Sequence, residues 1–95
     1  MTMTYRITRK ICDLSAKALN ESLKLPTEPY VDGEAQIGCI HIVSQNGTNN
    51  IYQMDNKHGG CRGLAIGLSL READDWLRAA NSGVLMARKY ALEVA

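Results

Sequence analysis

The run Lys57-His58-Gly59-Gly60-Cys61-Arg62-Gly63 concentrates more reactive and charged groups than any other stretch of the chain. Its glycines allow successive backbone N–H groups to converge, and Lys57, His58 and Arg62 add charge and donors, the composition of an anion-binding nest. It matches no phosphate-loop or dinucleotide fingerprint, so the spacing does not name a ligand. A hairpin connection with solvated charges is the simpler reading of the same residues. Cys61 sits beside Arg62, a setting that favours a thiolate. A catalytic cysteine also needs an oriented base and an oxyanion hole, and the sequence displays neither. Asp74 and Asp75 near a helix start suit the positive end of the helix dipole better than acid–base work. The chain is therefore expected not to be an enzyme.

Two further places supply polar groups. Tyr30 and Asp32 lie in Pro29-Tyr30-Val31-Asp32-Gly33, where the ring either caps a sheet edge or offers a stacking face to a ligand. His41 interrupts the apolar run QIGCIHIV at 36–43 and shares a face with Cys39, as a satisfied core or interface histidine or as a ligand contact. A zinc set of Cys39, His41, His58 and Cys61 can be drawn, but its C-x-H and H-x-x-C spacings are not those of fingers or ribbons. The candidate ligand-binding residues are thus Lys57, His58, Gly59, Gly60, Arg62, Tyr30, Asp32 and His41. No metal and no cofactor are expected, and Cys12, Cys39 and Cys61 are expected to be free thiols.

The elements that must position these residues follow from periodicity. Over 5–25, apolar residues at Ile7, Ile11, Leu14, Ala18 and Leu25, with Cys12 and Leu19 beside them, predict one face of a helix. Pro26 ends it. An extended turn segment follows over 27–33, and then a strand over 36–43. Because that strand is apolar on both faces, it is expected at the centre of the sheet. Asn46-Gly47 predicts a hairpin into the strand NIYQMD, and GLAIGLSL makes a third strand. Ser69 with Glu72 three residues on forms a capping box. Leu70, Ala73, Leu77 and Ala80 then supply a buried stripe. Asn81-Ser82-Gly83 is either a cap or a kink before a tail helix over 84–95. The result is one α+β domain with a core over about 5–81 and α-β-β-β-α order. A three-stranded antiparallel sheet carries helices on one face, leaving an apolar face that a second subunit would cover.

Composition narrows the classes. At 95 residues there is room for one core, and with no Phe, one Trp and four Tyr that core is aliphatic. Association would stabilise so small a core. A net charge of +1 argues against a nucleic-acid binder, whose affinity rests on neutralising phosphates. The odd cysteine count, with no apolar run near the start and none approaching a membrane span, points to a reducing cytoplasm.

The stretch ALNESLKLPTEPYVDGEAQIGCIHI resembles a pattern found in small uncharacterised accessory proteins of tailed phages and prophages. The resemblance runs over about residues 13–80, through Leu19, Asn20, Leu25, Pro26, Glu28, Pro29, Tyr30, Asp32, Gly33, Gly38 and His41, then Met54, Asn56, Gly59 and Gly60. Cys39-Ile40, where those proteins tend to have Asn-Tyr, and a longer C-terminal tail depart from it. The resemblance implies an accessory role in an infected cytoplasm, and it carries no catalytic residues. The expectation is a non-enzymatic binding protein that acts as a homo-oligomer, sequestering an anionic, nucleotide-like ligand or blocking a host protein as a counter-defence. The alternative is a double-stranded-RNA binder, which shares the element order. Against it, the last helix starts Ser69-Leu-Arg-Glu-Ala-Asp-Asp rather than with a lysine clamp.

Overall fold

The computed structural model describes residues 6–94. Helix α1 spans Arg9–Leu23. Its start is capped by Thr8, whose hydroxyl accepts the Ile11 N–H at 3.3 Å. Lys24 ends it in the left-handed region (φ 58°), and the Leu25 N–H closes back on the Asn20 carbonyl at 2.8 Å. Pro26 follows directly, as expected. Tyr5, where the apolar pattern begins, lies outside the described residues.

Two small strands, β1 (Tyr30–Val31) and β2 (Glu34–Ala35), then form a hairpin of their own. Asp32 and Gly33 turn it with positive φ at both positions (51° and 79°), the signature of a type I′ turn. The segment predicted as a plain extended turn is therefore a two-stranded ribbon. The main sheet holds β3 (Ile40–Gln45), β4 (Thr48–Met54) and β5 (Cys61–Leu68), all antiparallel in the order β3-β4-β5. Asn46-Gly47 makes the β3–β4 turn, again with both φ positive.

The strand expected over 36–43 starts only at Ile40, because Gly38 at φ 95° breaks the extended backbone and leaves Ile37 exposed. Nor is it central. It is an edge strand, and β4 holds the middle. The edge is guarded by α1. Asn20 accepts the Ile40 N–H at 2.8 Å and donates to the Ile40 carbonyl at 2.9 Å, while Arg9 donates to the Ile42 carbonyl. One buried carboxamide thus satisfies both backbone groups that an edge residue would show to a passing strand.

Helix α2 runs unbroken through Leu70–Val94, so Asn81-Ser82-Gly83 does not end it. Its capping box forms as predicted: Glu72 N–H to Ser69 Oγ at 3.1 Å, and Ser69 N–H to Glu72 Oε1 at 2.9 Å. Both helices cover one face of the sheet. Cys12, Ala16 and Leu19 meet Ile40, Ile42, Ile51, Ala73 and Leu77 in one aliphatic core. Burying a Leu or Ile side chain of this kind stabilises by about 1.5–3 kcal/mol. The buried residues of α1 are Cys12, Ala16, Leu19 and Asn20, so of the expected face Cys12 and Leu19 enter the core and Ile7 and Leu25 pack against it, while Ile11, Leu14 and Ala18 do not. Leu14 is 58 % exposed, and Ala18 is exposed too.

Candidate functional site

The β4–β5 connection is a tight turn already filled by one side chain. Asn56 Oδ1 accepts the N–H of His58 at 2.9 Å and of Gly60 at 3.1 Å, and the Asn56 carbonyl takes the Gly59 N–H at 3.2 Å. The three donors that would have converged on an anion are engaged by Asn56. Lys57 and His58 stand exposed at the tip. Gly59 has φ 89°, and the Tyr30 hydroxyl lies 2.9 Å from where its Cβ would be, so the β1–β2 hairpin leans on this turn. Asp32 is exposed at the far turn of that hairpin.

Register divides the remaining candidates between two faces. Arg62 pairs across β4 with Gln53, which pairs with the core residue Ile40, and Arg62 donates to Gln53 Oε1 at 2.8 Å. It therefore stands on the helix side of the sheet. Cys61, one residue earlier, points to the outer side, as do His41, Tyr52 and Met54. The eight predicted site residues do not form one cluster: Tyr30 meets Gly59, Arg62 is turned away, and His41 meets Cys61.

On this outer face His41 Nδ1 lies 3.3 Å from the Cys39 carbonyl, and Nε2 lies 3.8 Å from Cys61 Sγ. A carbonyl only accepts, so Nδ1–H is the donor to it, and in the neutral ring Nε2 then presents its lone pair to Cys61. The Cys61 sulfur lies 3.9 Å from Met54 Sδ and 3.5 Å from the Gly59 carbonyl. Tyr52 borders the group, its ring 6.4 Å from the imidazole. Its hydroxyl takes a long hydrogen bond from Asn50, which in turn accepts the Gly67 N–H at 2.8 Å. Cys61 is exposed; Met54 is buried, in a small cluster with Ala35 and Cys39. His41 also borders a cavity of about 280 Å³ with Arg9, Asp13 and Lys17.

The other two cysteines are buried thiols. Burial pushes Cys39 up from an ordinary value near 9.0 to about 11, only partly opposed by its contact with the Asn20 amide. Cys12 is raised by burial and by the nearby Asp74 carboxylate, and it donates to the Leu70 carbonyl at 3.2 Å.

A second open feature lies between the helices. Ile7, Ile11, Leu14 and Ala18, part of the face predicted for the first helix, line a groove of about 690 Å³ with Ser15, Arg78 and Asn81. Its polar wall is organised by the buried Asp74, which accepts Ser15 Oγ at 2.5 Å and Arg78 Nε at 2.7 Å. Asn81 Oδ1 is buried there without a hydrogen-bond partner. No metal-holding group of three or more His, Cys, Asp or Glu occurs among the described residues.

Comparison with known protein families, curated proteins and solved structures finds no match to this chain. Met54 and Asn56 were named only as matching positions in the resemblance, and their roles become visible through cross-strand register and loop geometry. Asn56 carries a readable signal, since an Asn just ahead of a Gly-Gly pair is a turn-former.

Proposed function

We propose that the protein is a non-enzymatic binding module that acts as a homodimer, with the groove between α1 and α2 as its docking surface and a second copy of α2 as the occupant. One observation carries this reading: Ile11, Leu14 and Ala18 form an apolar stripe on α1 that lines an unfilled groove. The matching donor is on the same chain. Helix α2 has 25 residues against 15 in α1, so about 15 Å of it extends past its neighbour at 1.5 Å per residue. Leu85, Met86 and Tyr90 are exposed on that half. The radius of gyration, 14.6 Å, exceeds the about 12 Å of a compact chain of this length, as a projecting helix requires.

A chain with both an apolar ridge and an apolar groove can exchange them about a two-fold axis, which closes at two copies. Helix-in-groove docking by apolar anchors is an established mode of recognition. A small oligomer that works by surface contact also suits the phage-accessory setting implied by LPTEPYVDGEAQIGCIHI. Light scattering on the purified chain at about 100 µM tests the proposal, because dimers depend on concentration. The expected mass is twice 10.5 kDa. Leu14→Glu and Tyr90→Glu each return it to 10.5 kDa with the far-UV spectrum unchanged. A wild-type mass of 10.5 kDa at that concentration overturns it.

A further inference from the structure

Three soft donors stand together on the outer face of the sheet although 20 residues of sequence separate the first from the last: imidazole from β3, thioether from β4 and thiol from β5. The strand carrying Met54 lies between the other two, so His41 and Cys61 reach over it to the same place. We propose that His41 Nε2, Met54 Sδ and Cys61 Sγ form a three-coordinate site for a soft monovalent cation, Cu(I).

The distances fit. With metal–sulfur bonds of about 2.3 Å and a metal–nitrogen bond of about 2.0 Å, a trigonal ion holds sulfur and nitrogen about 3.7 Å apart and two sulfurs about 4.0 Å apart. The observed separations are 3.8 Å for Cys61–His41 and 3.9 Å for Cys61–Met54. The donor set selects the ion. Thioether and thiolate favour Cu(I), whereas Zn(II) prefers imidazole, thiolate and carboxylate in a closed set of four.

A second observation points the same way. His41 donates Nδ1–H to the Cys39 carbonyl, the outer-shell contact that fixes ring and tautomer in metal-binding histidines and leaves Nε2 free to ligate. Tyr52 beside the imidazole and the buried Met54 give the site an apolar side, while the exposed Cys61 leaves an entry. On binding, the Cys61 S–H proton passes to solvent. The thiolate then neutralises the single positive charge, so no further anion is needed.

The test is anaerobic titration with Cu(I) against a chromogenic chelator, with Ag(I) as a redox-inert stand-in. The expected result is one ion per chain, with Cys61 protected from alkylation and Cys12 and Cys39 unaffected. Cys61→Ser and His41→Gln each remove a ligand, so each should weaken binding by more than the about 10–100-fold that losing an outer-shell partner costs. Met54→Leu keeps the buried volume and should weaken it by about tenfold or more, with the far-UV spectrum and melting temperature confirming the fold. If Cys61→Ser abolishes binding while His41→Gln and Met54→Leu leave it unchanged, the ion sits on a thiolate alone and the site is wrong. Copper that survives Cys61→Ser overturns it outright.

Discussion

The groove between α1 and α2 offers aliphatic side chains around open space, whereas the outer face of the sheet offers donor atoms with little space between them. Ile11, Leu14 and Ala18 share one chemistry and repeat along one helix, with Ile7 just ahead of it. His41, Met54 and Cys61 differ in chemistry and come from three strands. The first surface suits a body that displaces water, and apolar area is its currency. The second suits something small that is held by direction and softness of donors. Each surface is one side of a two-layer molecule, and between them lies the sealed aliphatic layer of Ile40, Ile42, Ile51 and Leu77.

The contrast between outer and inner sulfur should be the largest measurable effect. With an aromatic disulfide reagent at mild pH, Cys61 should react at once. Cys12 and Cys39 should wait for the fold to open, which for a stability of several kcal/mol means about 1000-fold slower or more. Counting released chromophore against time checks this, and two fast thiols would erase the distinction between exposed and buried sulfur.

Next in size is the joint between the layers. Asn20→Ala orphans the Ile40 N–H and C=O at the β3 edge, at about 1–3 kcal/mol for each buried group left unpaired. Urea unfolding should show a loss of about 2–4 kcal/mol, and a loss below about 0.5 kcal/mol would mean that the edge is not held from α1.

A smaller effect comes with alkali. Cys39 binds its proton more tightly folded, at about 11, than in the open chain near 9.0. Its contribution is therefore whole below pH 9 and is lost as pH rises towards 11, by on the order of 2 kcal/mol. Melting temperatures across that range should fall in the wild type and fall less in Cys39→Ala.

Much of the fold was legible in the sequence because its signals are local. Ser69 and Glu72 form their capping box, Asn46-Gly47 turns its hairpin, and α1 stops ahead of Pro26. Asp32-Gly33 carried the same signal as Asn46-Gly47, but its flanking strands are only two residues long and make no periodic pattern. The apolar residues of α1 divide between the core, which takes Cys12 and Leu19, and the groove, which takes Ile11, Leu14 and Ala18, because helical periodicity reports amphipathicity and not which neighbour is present. Asn20 could not be found this way. A buried amide that imitates a strand has no spacing of its own. The outer-face site was illegible for a related reason: residues 41, 54 and 61 meet only once pairing and register are fixed.

The central claim is that the projecting half of α2 from one copy seats in the α1–α2 groove of another. Mixing two variants tests it most directly, each carrying Cys61→Ser, one with Leu14→Cys and the other with Met86→Cys, so that the introduced thiol is the exposed one beside the buried Cys12 and Cys39. Under mild oxidation the account predicts a disulfide-linked heterodimer that forms in the mixture faster than either variant links to itself. A mixture that yields no more cross-linked species than the separate variants would contradict it.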